Sequence, residues 1–180
     1  MTTVATKTSR LEKATKFLQT IECSTRDNNG AQATLKRALT EEPRHLRGAY
    51  PFTLPYLPID PKQGDWWTWW IFIACLSTYH PSELNLEKRF DFGHSARKLA
   101  EKTESKGVDR RFQALLDTSL EDLRSPLSAL VRLMKSKAVP IDYPQLIDDL
   151  CRWDHPDQYI QDRWARTFWK APQQEEGSPR

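Results

Sequence analysis

From Trp66 to Leu76 every side chain except Thr68 is apolar or aromatic. A helix built from this run has no polar face to offer to water, so it cannot lie on a surface. It also falls well short of the roughly 18 apolar residues that a membrane span needs. The remaining solution is a helix covered on all sides by other helices, at the centre of a bundle. Asp65 is placed to cap it, and Pro81, just beyond Tyr79, sets its end.

The covering elements are readable from helical periodicity. Leu11, Ala14, Leu18 and Ile21 recur at helical spacing, with Ser9-x-x-Glu12 offering a capping box. The polar run Thr25 to Gly30 breaks this helix. A short second one follows, with Ala31, Leu35, Ala38 and Leu39 inward and Lys36 and Arg37 outward. Prolines at 43, 51, 55, 58 and 61 predict an extended, ordered loop over about 43–64. After a polar loop over 82–90, Asp91 caps a helix to about Lys102, and Arg110 to Asp117 forms another. Thr118-x-x-Glu121 is expected to start the longest helix, to about Lys137, which Pro140 ends. Tyr143 to Trp153 and Gln158 to Lys170 complete the set. No window alternates β-branched residues with period two. The expected fold is all-α: a single-domain helical bundle of about seven to eight helices over residues 1–170, with a polar, disordered tail over 171–180.

A chain of 180 residues covers roughly two thirds of its unfolded surface on folding and needs no staples. Cys23, Cys75 and Cys151 are odd in number, far apart and without a CxxC pair, so no disulfide framework is expected. The polar start, Met1 to Lys7, lacks the apolar core of a signal peptide. These features predict a cytoplasmic protein with no membrane partner.

No catalytic centre is visible. The histidines at 45, 80, 94 and 155 form no HxxxH pair, and no Cys/His cluster has zinc spacing. Asp154-His155-x-Asp157 resembles a phosphohydrolase metal site, but Pro156 marks it as a turn, and no second histidine accompanies it. With six glycines there is neither a phosphate loop nor a dinucleotide fingerprint. Adjacent Asp148 and Asp149 point about 100° apart on a helix. Asp149 is expected to pair with Arg152 or to cap a neighbouring helix. The expectation is therefore no enzyme, no metal and no cofactor.

Basic residues, by contrast, fall on coherent faces. The net charge is only +3, but residues 1–50 hold nine Lys/Arg against five Asp/Glu. After Asp91, His94, Arg97, Lys98 and Lys102 lie opposite Phe92, Ala96, Leu99 and Thr103. Arg124, Arg132 and Lys135 flank the inward Leu123, Leu127, Leu130 and Met134. Arg163, Arg166 and Lys170 lie beside Ile160, Trp164 and Phe168. Solvated helices carry Lys and Arg as a matter of course, so one stripe alone says little. Several together suit a nucleic-acid backbone, which a local basic stripe binds whatever the total charge. The tryptophans at 66, 67, 69, 70, 153, 164 and 169 read mainly as core, with stacking on bases as the other use.

The order of short motifs adds a resemblance. Gly30 with Leu35-Lys36-Arg37-Ala38-Leu39 comes first, then Ala49-Tyr50-Pro51, then Ala74-Cys75-Leu76 through His80-Pro81. Phe92-Gly93 with Ser95 to Leu99, Arg110-Arg111-Phe112 with Leu115-Leu116, and Leu130 to Lys135 follow. Ile141-Asp142-Tyr143, Asp149-Leu150 with Trp153, and Arg163-Trp164-Ala165-Arg166 close the series. In this order, from Gly30 to about Phe168, the chain resembles the CasB family, the small subunit of the type I-E CRISPR surveillance complex Cascade.

The resemblance implies a non-catalytic, all-helical subunit present in two copies, contacting the backbone and large subunits. It further implies contact with guide RNA (crRNA), target DNA and the displaced strand, stabilising the R-loop in antiviral defence. On that basis Lys36, Arg37, Arg97, Arg110, Arg111 and Arg132 are the expected phosphate contacts. Lys135, Arg152, Arg163 and Arg166 rest more on helical geometry. Two other readings stay open: a helical protein-interaction module without nucleic-acid contact, and an enzyme with an unrecognised metal site.

Overall fold

The computed structural model describes residues 2–40, 42–59, 66–104 and 106–170. Among these, ten α-helices and one 3-10 turn account for the regular structure, with no strand. They are α1 (Thr2–Thr25), α2 (Asn29–Arg37), α3 (Pro43–Gly48), α4 (Tyr50–Thr53), α5 (Trp67–Tyr79), α6 (Phe92–Thr103), α7 (Gly107–Leu116), α8 (Arg124–Ser136), α9 (Tyr143–Leu150) and α10 (Tyr159–Phe168). The 3-10 turn, Leu54–Tyr56, follows α4. No helix among the described residues is long and apolar enough to cross a membrane.

The tryptophan-rich run is the central helix, α5, and Trp69 to Leu76 are buried without a break. Helices α1, α2, α4 and α9 pack on it. A second layer consists of α6 against α7, α8 and α10, and the α1–α9 contact ties the chain's beginning to its later half. One continuous core joins the layers, from Phe17 and Ile21 through Trp70 to Phe112, Leu127, Trp153 and Trp164.

Several boundaries differ from expectation, each for a local reason. Helix α1 begins at Thr2, so Ser9 lies inside it and is not a cap. Over 43–56 the proline-rich stretch is short helices and turns and not an extended loop, and only 57–59 of its described part is irregular. Pro43 opens α3, while Pro51 and Pro55 sit in the first turns of α4 and the 3-10 turn. There a missing N–H costs nothing, because first-turn donors have no partner within the helix. The segment after Thr118 is turns, and α8 starts only at Arg124, so α1 is the longest helix and not α8. The Thr118 hydroxyl donates back to the Ala114 carbonyl instead of capping forward, and its own carbonyl accepts the Trp153 indole N–H. The expected cap Asp65, Pro61 and the tail over 171–180 lie outside the described residues.

The Asp91 cap holds as read, and the structure adds a second, at Asp142. Asp91 accepts the His94 N–H at 3.0 Å, and Asp142 accepts the Gln145 N–H at 3.1 Å. Asp142 does more than cap. It also accepts from the Phe90 N–H at 3.2 Å and from Arg89 at 2.9 Å, fastening the 82–90 loop to α9. Nearby, the Tyr143 hydroxyl donates to the His80 carbonyl, Ile141 N–H to the Ser82 hydroxyl, and the Ser95 hydroxyl to the Pro140 carbonyl. The irregular segment 138–142 thus finds partners for its polar groups inside the fold.

A second set of buried polar contacts joins α9, α10 and α6. Asp149 is fully buried. It accepts from Gln145 and from the Trp164 indole, each at 2.8 Å, and is ion-paired with Arg163. The Arg163 guanidinium also reaches Asp91, whose carboxylate accepts the Thr167 hydroxyl. Burial by itself would lower the Arg163 pKa, but Asp149 and Asp91 outweigh it and hold it above the ordinary arginine value. Asp149 therefore pairs with Arg163 and not with Arg152. It is Asp148 that meets Arg152, at 3.5 Å, and Arg10, at 3.4 Å. At the same crossing a Cβ on Gly93 would run into the Trp164 backbone carbonyl, so α6 and α10 approach each other backbone to backbone.

Two outcomes are expected. Gly93→Ala must push α6 and α10 apart and is expected to cost about 1–3 kcal/mol in chemical denaturation. Gly48→Ala, whose Cβ would lie 3.6 Å from Thr34 Cγ2, is expected to be neutral. Equal effects for the two would show that the α6–α10 approach is not tight. Asp149→Ala leaves Arg163 with Asp91 alone and is expected to cost about 3 kcal/mol, the low end for a broken buried pair because Arg163 keeps that partner and some solvent access. Adding Arg163→Met to that variant is expected to cost far less than Arg163→Met alone. Additive losses would mean that the two residues are not coupled.

Candidate nucleic-acid interface

The ten basic residues singled out in the sequence divide by what their side chains touch. Arg163 and Arg152 are engaged by carboxylates from the core, Asp149 with Asp91 and Asp148 respectively. Arg97 is half-buried and pairs with Glu101 one turn along α6, at 3.1 Å. Lys36, Arg37, Arg110, Arg111, Arg132, Lys135 and Arg166 are exposed. None of these seven enters an ion pair among the described residues.

Two of the seven, from helices almost a hundred positions apart, arrive at one place. Lys36 of α2 and Lys135 of α8 line a cleft of about 340 Å³ between α1, α2 and the end of α5. Arg26, at the turn between α1 and α2, lines it too. Its lining includes Leu18, Ile21, Ala74 and Pro81, and among the described residues Glu22 is the one carboxylate on its wall. Lys135 lies over the Tyr79 ring, its Nζ 3.9 Å from the centroid, which holds an otherwise mobile ammonium at the rim. Helix phase explains the convergence. The side chains that precede Lys36 and Lys135, Leu35 and Met134, are core residues, and each anchors a cation just outside the apolar face.

Arg26 was not among the residues expected to contact phosphate. Its sequence signal was its place in a tight interhelical turn, which brings the end of α1 beside the α2 face that carries Lys36.

Arg132 occupies a different setting. It lines a cleft of about 560 Å³ with Arg124, Ser128, Glu42, Glu121 and Asp122, where both signs of charge meet. Arg124 itself is withdrawn, donating to the Thr68 hydroxyl at 2.8 Å and lying over Trp69 and Phe72. Of the tryptophans, 69, 70, 153 and 164 are core, 66 and 67 are half-buried, and Trp169 is exposed.

The groups that resembled catalytic chemistry have other roles. His155 accepts the Asp157 N–H at 3.2 Å within a local turn. No three His, Cys, Asp or Glu side chains among the described residues are grouped to hold a metal. Burial pushes the Cys75 thiol up to about 12 and Cys151 up to about 11.

Comparison with known proteins places this architecture. The family model for CRISPR-associated protein Cse2 matches residues 31–169. A CRISPR-associated protein Cse2 from Thermus thermophilus is 32% identical over 151 residues, covering 81% of this chain and 82% of the relative. Among solved structures, a Cse2-family protein from T. thermophilus superposes with a TM-score of 0.68 at 26% identity, covering 88% of this chain and 98% of its own. CasB of M. ruber gives 0.63 at 25% identity, over 86% and 93%. A chain of a CRISPR RNA-guided surveillance complex shares the fold, with a TM-score of 0.71 at 22% identity over 89% and 94%. By sequence and by fold, the chain belongs to the Cse2 (CasB) family of CRISPR-associated proteins.

Proposed function

We propose that the protein is a non-catalytic subunit of a CRISPR RNA-guided surveillance complex of the Cascade kind. In this reading it lies against guide RNA, target DNA and the displaced strand, and steadies the R-loop through phosphate contacts. Its protein partners are the backbone and large subunits and a second copy of itself. Family membership and the shared fold of a surveillance-complex chain support the assembly. Burial raises the pKa of the Cys75 and Cys151 thiols, which disfavours either of them as a nucleophile.

The single observation that carries the nucleic-acid reading is the convergence of Lys36, Lys135 and Arg26 on one cleft with a single acidic neighbour. Three cations gathered from three elements make a local positive potential that a total charge of +3 conceals. Exchanging a DNA duplex for a guide–target duplex is nearly balanced in energy, so a few such contacts suffice to tip it. Arg37, Arg110, Arg111 and Arg166 extend the proposed contact surface. Arg97 joins it through its outward edge, while Arg152 and Arg163 serve the fold first.

The mixed-charge cleft around Arg132 favours a second reading for that face, a contact with another protein subunit. There, alternating charges specify a partner and a bare phosphate chain would meet repulsion.

Lys36→Glu with Lys135→Glu is expected to leave stability within about 1 kcal/mol, since both side chains are exposed. Target-strand capture by the assembled complex is expected to fall. The log–log salt dependence of strand binding is expected to become shallower by about 0.7–0.9 for each phosphate no longer neutralised. Unchanged affinity and salt slope, with the complex fully assembled, would instead favour the protein-interaction module.

A further inference from the structure

Trp169 closes α10, and its side chain is 47% exposed. It is nevertheless held in place. The indole meets Phe168 edge-to-face at a centroid distance of 4.7 Å, and Phe112 of α7 at 5.7 Å. Phe112 and Phe168 stack on each other at 4.4 Å and belong to the core. The ring is thus anchored on one side and open to water on the other.

Basic residues of α6, α7 and α10 adjoin this point, through neighbouring positions in the chain or through a shared carboxylate. Lys170 follows Trp169 directly and lies 4.0 Å from Glu101 of α6. Arg97 lies 3.1 Å from the same carboxylate oxygen, so one acid is shared by two bases and a positive excess remains. In α7, the residue before Phe112 is the exposed Arg111. One turn back along α10 stands the exposed Arg166.

We propose that Trp169 is a stacking platform for one unpaired base of a single strand, whose flanking phosphates are held by Lys170, Arg97, Arg111 and Arg166. This rests on the nucleic-acid reading above and assigns a second, chemically different subsite to it. Stacking on an aromatic face tolerates every base, and it requires that the base be out of a duplex. The occupant is therefore a single strand and not the guide–target duplex. A protein partner fits less well. A stable interface buries about 800 Å² on each side. The other exposed large apolar residues among those described, Tyr56 and Tyr159, lie in the 3-10 turn and at the opposite end of α10. What remains at Trp169 is one ring among cations, and charge favours a polyanion.

The test uses the full-length protein, an oligothymidylate strand and an abasic strand of equal length, with binding followed by fluorescence anisotropy. Wild type is expected to prefer the thymidylate strand by about five-fold or more, the range of one base–aromatic stack. Trp169→Leu keeps an apolar side chain on Phe112 but removes the aromatic face, and is expected to bring the two strands to equal affinity with the salt slope unchanged. Trp169→Phe is expected to keep part of the preference. Lys36→Glu with Lys135→Glu is expected to weaken both strands alike. The platform is refuted if Trp169→Leu keeps the wild-type preference, or if it weakens both strands equally. It is also refuted if Trp169→Leu loses association with other complex subunits while the preference persists, which would mark a protein contact. Failure of the wild type to bind either strand at low salt would overturn the phosphate reading as well. A loss of preference confined to Trp169→Leu is a result that only the platform predicts.

Discussion

A helix with no polar face has to be roofed on every side, and α5 is that helix. Each of its residues from Trp69 to Leu76 is removed from water. Burying one large apolar side chain is worth about 1.5–3 kcal/mol, so leaving any side of α5 open would be strongly destabilising. Helices α1, α2, α4 and α9 supply the cover. Much of the remaining geometry follows from this requirement. Trp70 meets Phe17 of α1 at 5.6 Å, Trp67 meets Tyr50 of α4 at 5.6 Å, and Tyr143 of α9 hydrogen-bonds the carbonyl at the end of α5.

Apolar cover alone does not fix how helices of similar faces are oriented. The buried carboxylates add that information. Asp142 receives hydrogen bonds from α9 and from Arg89 and Phe90 of the 82–90 loop, and Asp149 receives them from α9 and α10. For Asp142 burial raises the pKa, while the Gln145 N–H, Arg89 and the Phe90 N–H pull it back. Asp91 follows the same pattern, raised by burial against the His94 N–H, Thr167 and Arg163. Such groups are costly to bury and costlier still to leave half-satisfied, so alternative packings of α6, α9 and α10 are penalised.

The same rule sorts the arginines. A guanidinium beside a buried carboxylate belongs to the fold, as with Arg89, Arg152 and Arg163. One beyond the core edge, with no carboxylate facing it among the described residues, is left facing solvent, as with Arg37, Arg111 and Arg166. Residue type is the same in the two groups. The difference lies in what the neighbouring helix presents. That is why Arg163 and Arg166, three positions apart in α10, have different surroundings.

Helical periodicity, the buried central run, the Asp91 cap and the Phe92-Gly93 motif were legible in the chain itself, because each is written within a few residues of contiguous sequence. So was the CasB likeness, which depends on the order of such local pieces. The lateness of α8 and the helices hidden in the proline-rich stretch were not. Thr118 makes a plausible cap until its backbone carbonyl is claimed by Trp153, and Pro43 and Pro51 look like breakers unless a first helical turn is placed on them. The site divides in the same way. Exposure of Lys36 and Lys135 follows from phase alone, since Leu35 and Met134 must face inward. Their meeting with Arg26 at one cleft, the capture of Arg163 by Asp149 and Asp91, and the seating of Trp169 on Phe112 are contacts between segments distant in sequence. Such contacts depend on how helices cross, and a one-dimensional pattern of polar and apolar residues records which face is buried but not which helix buries it.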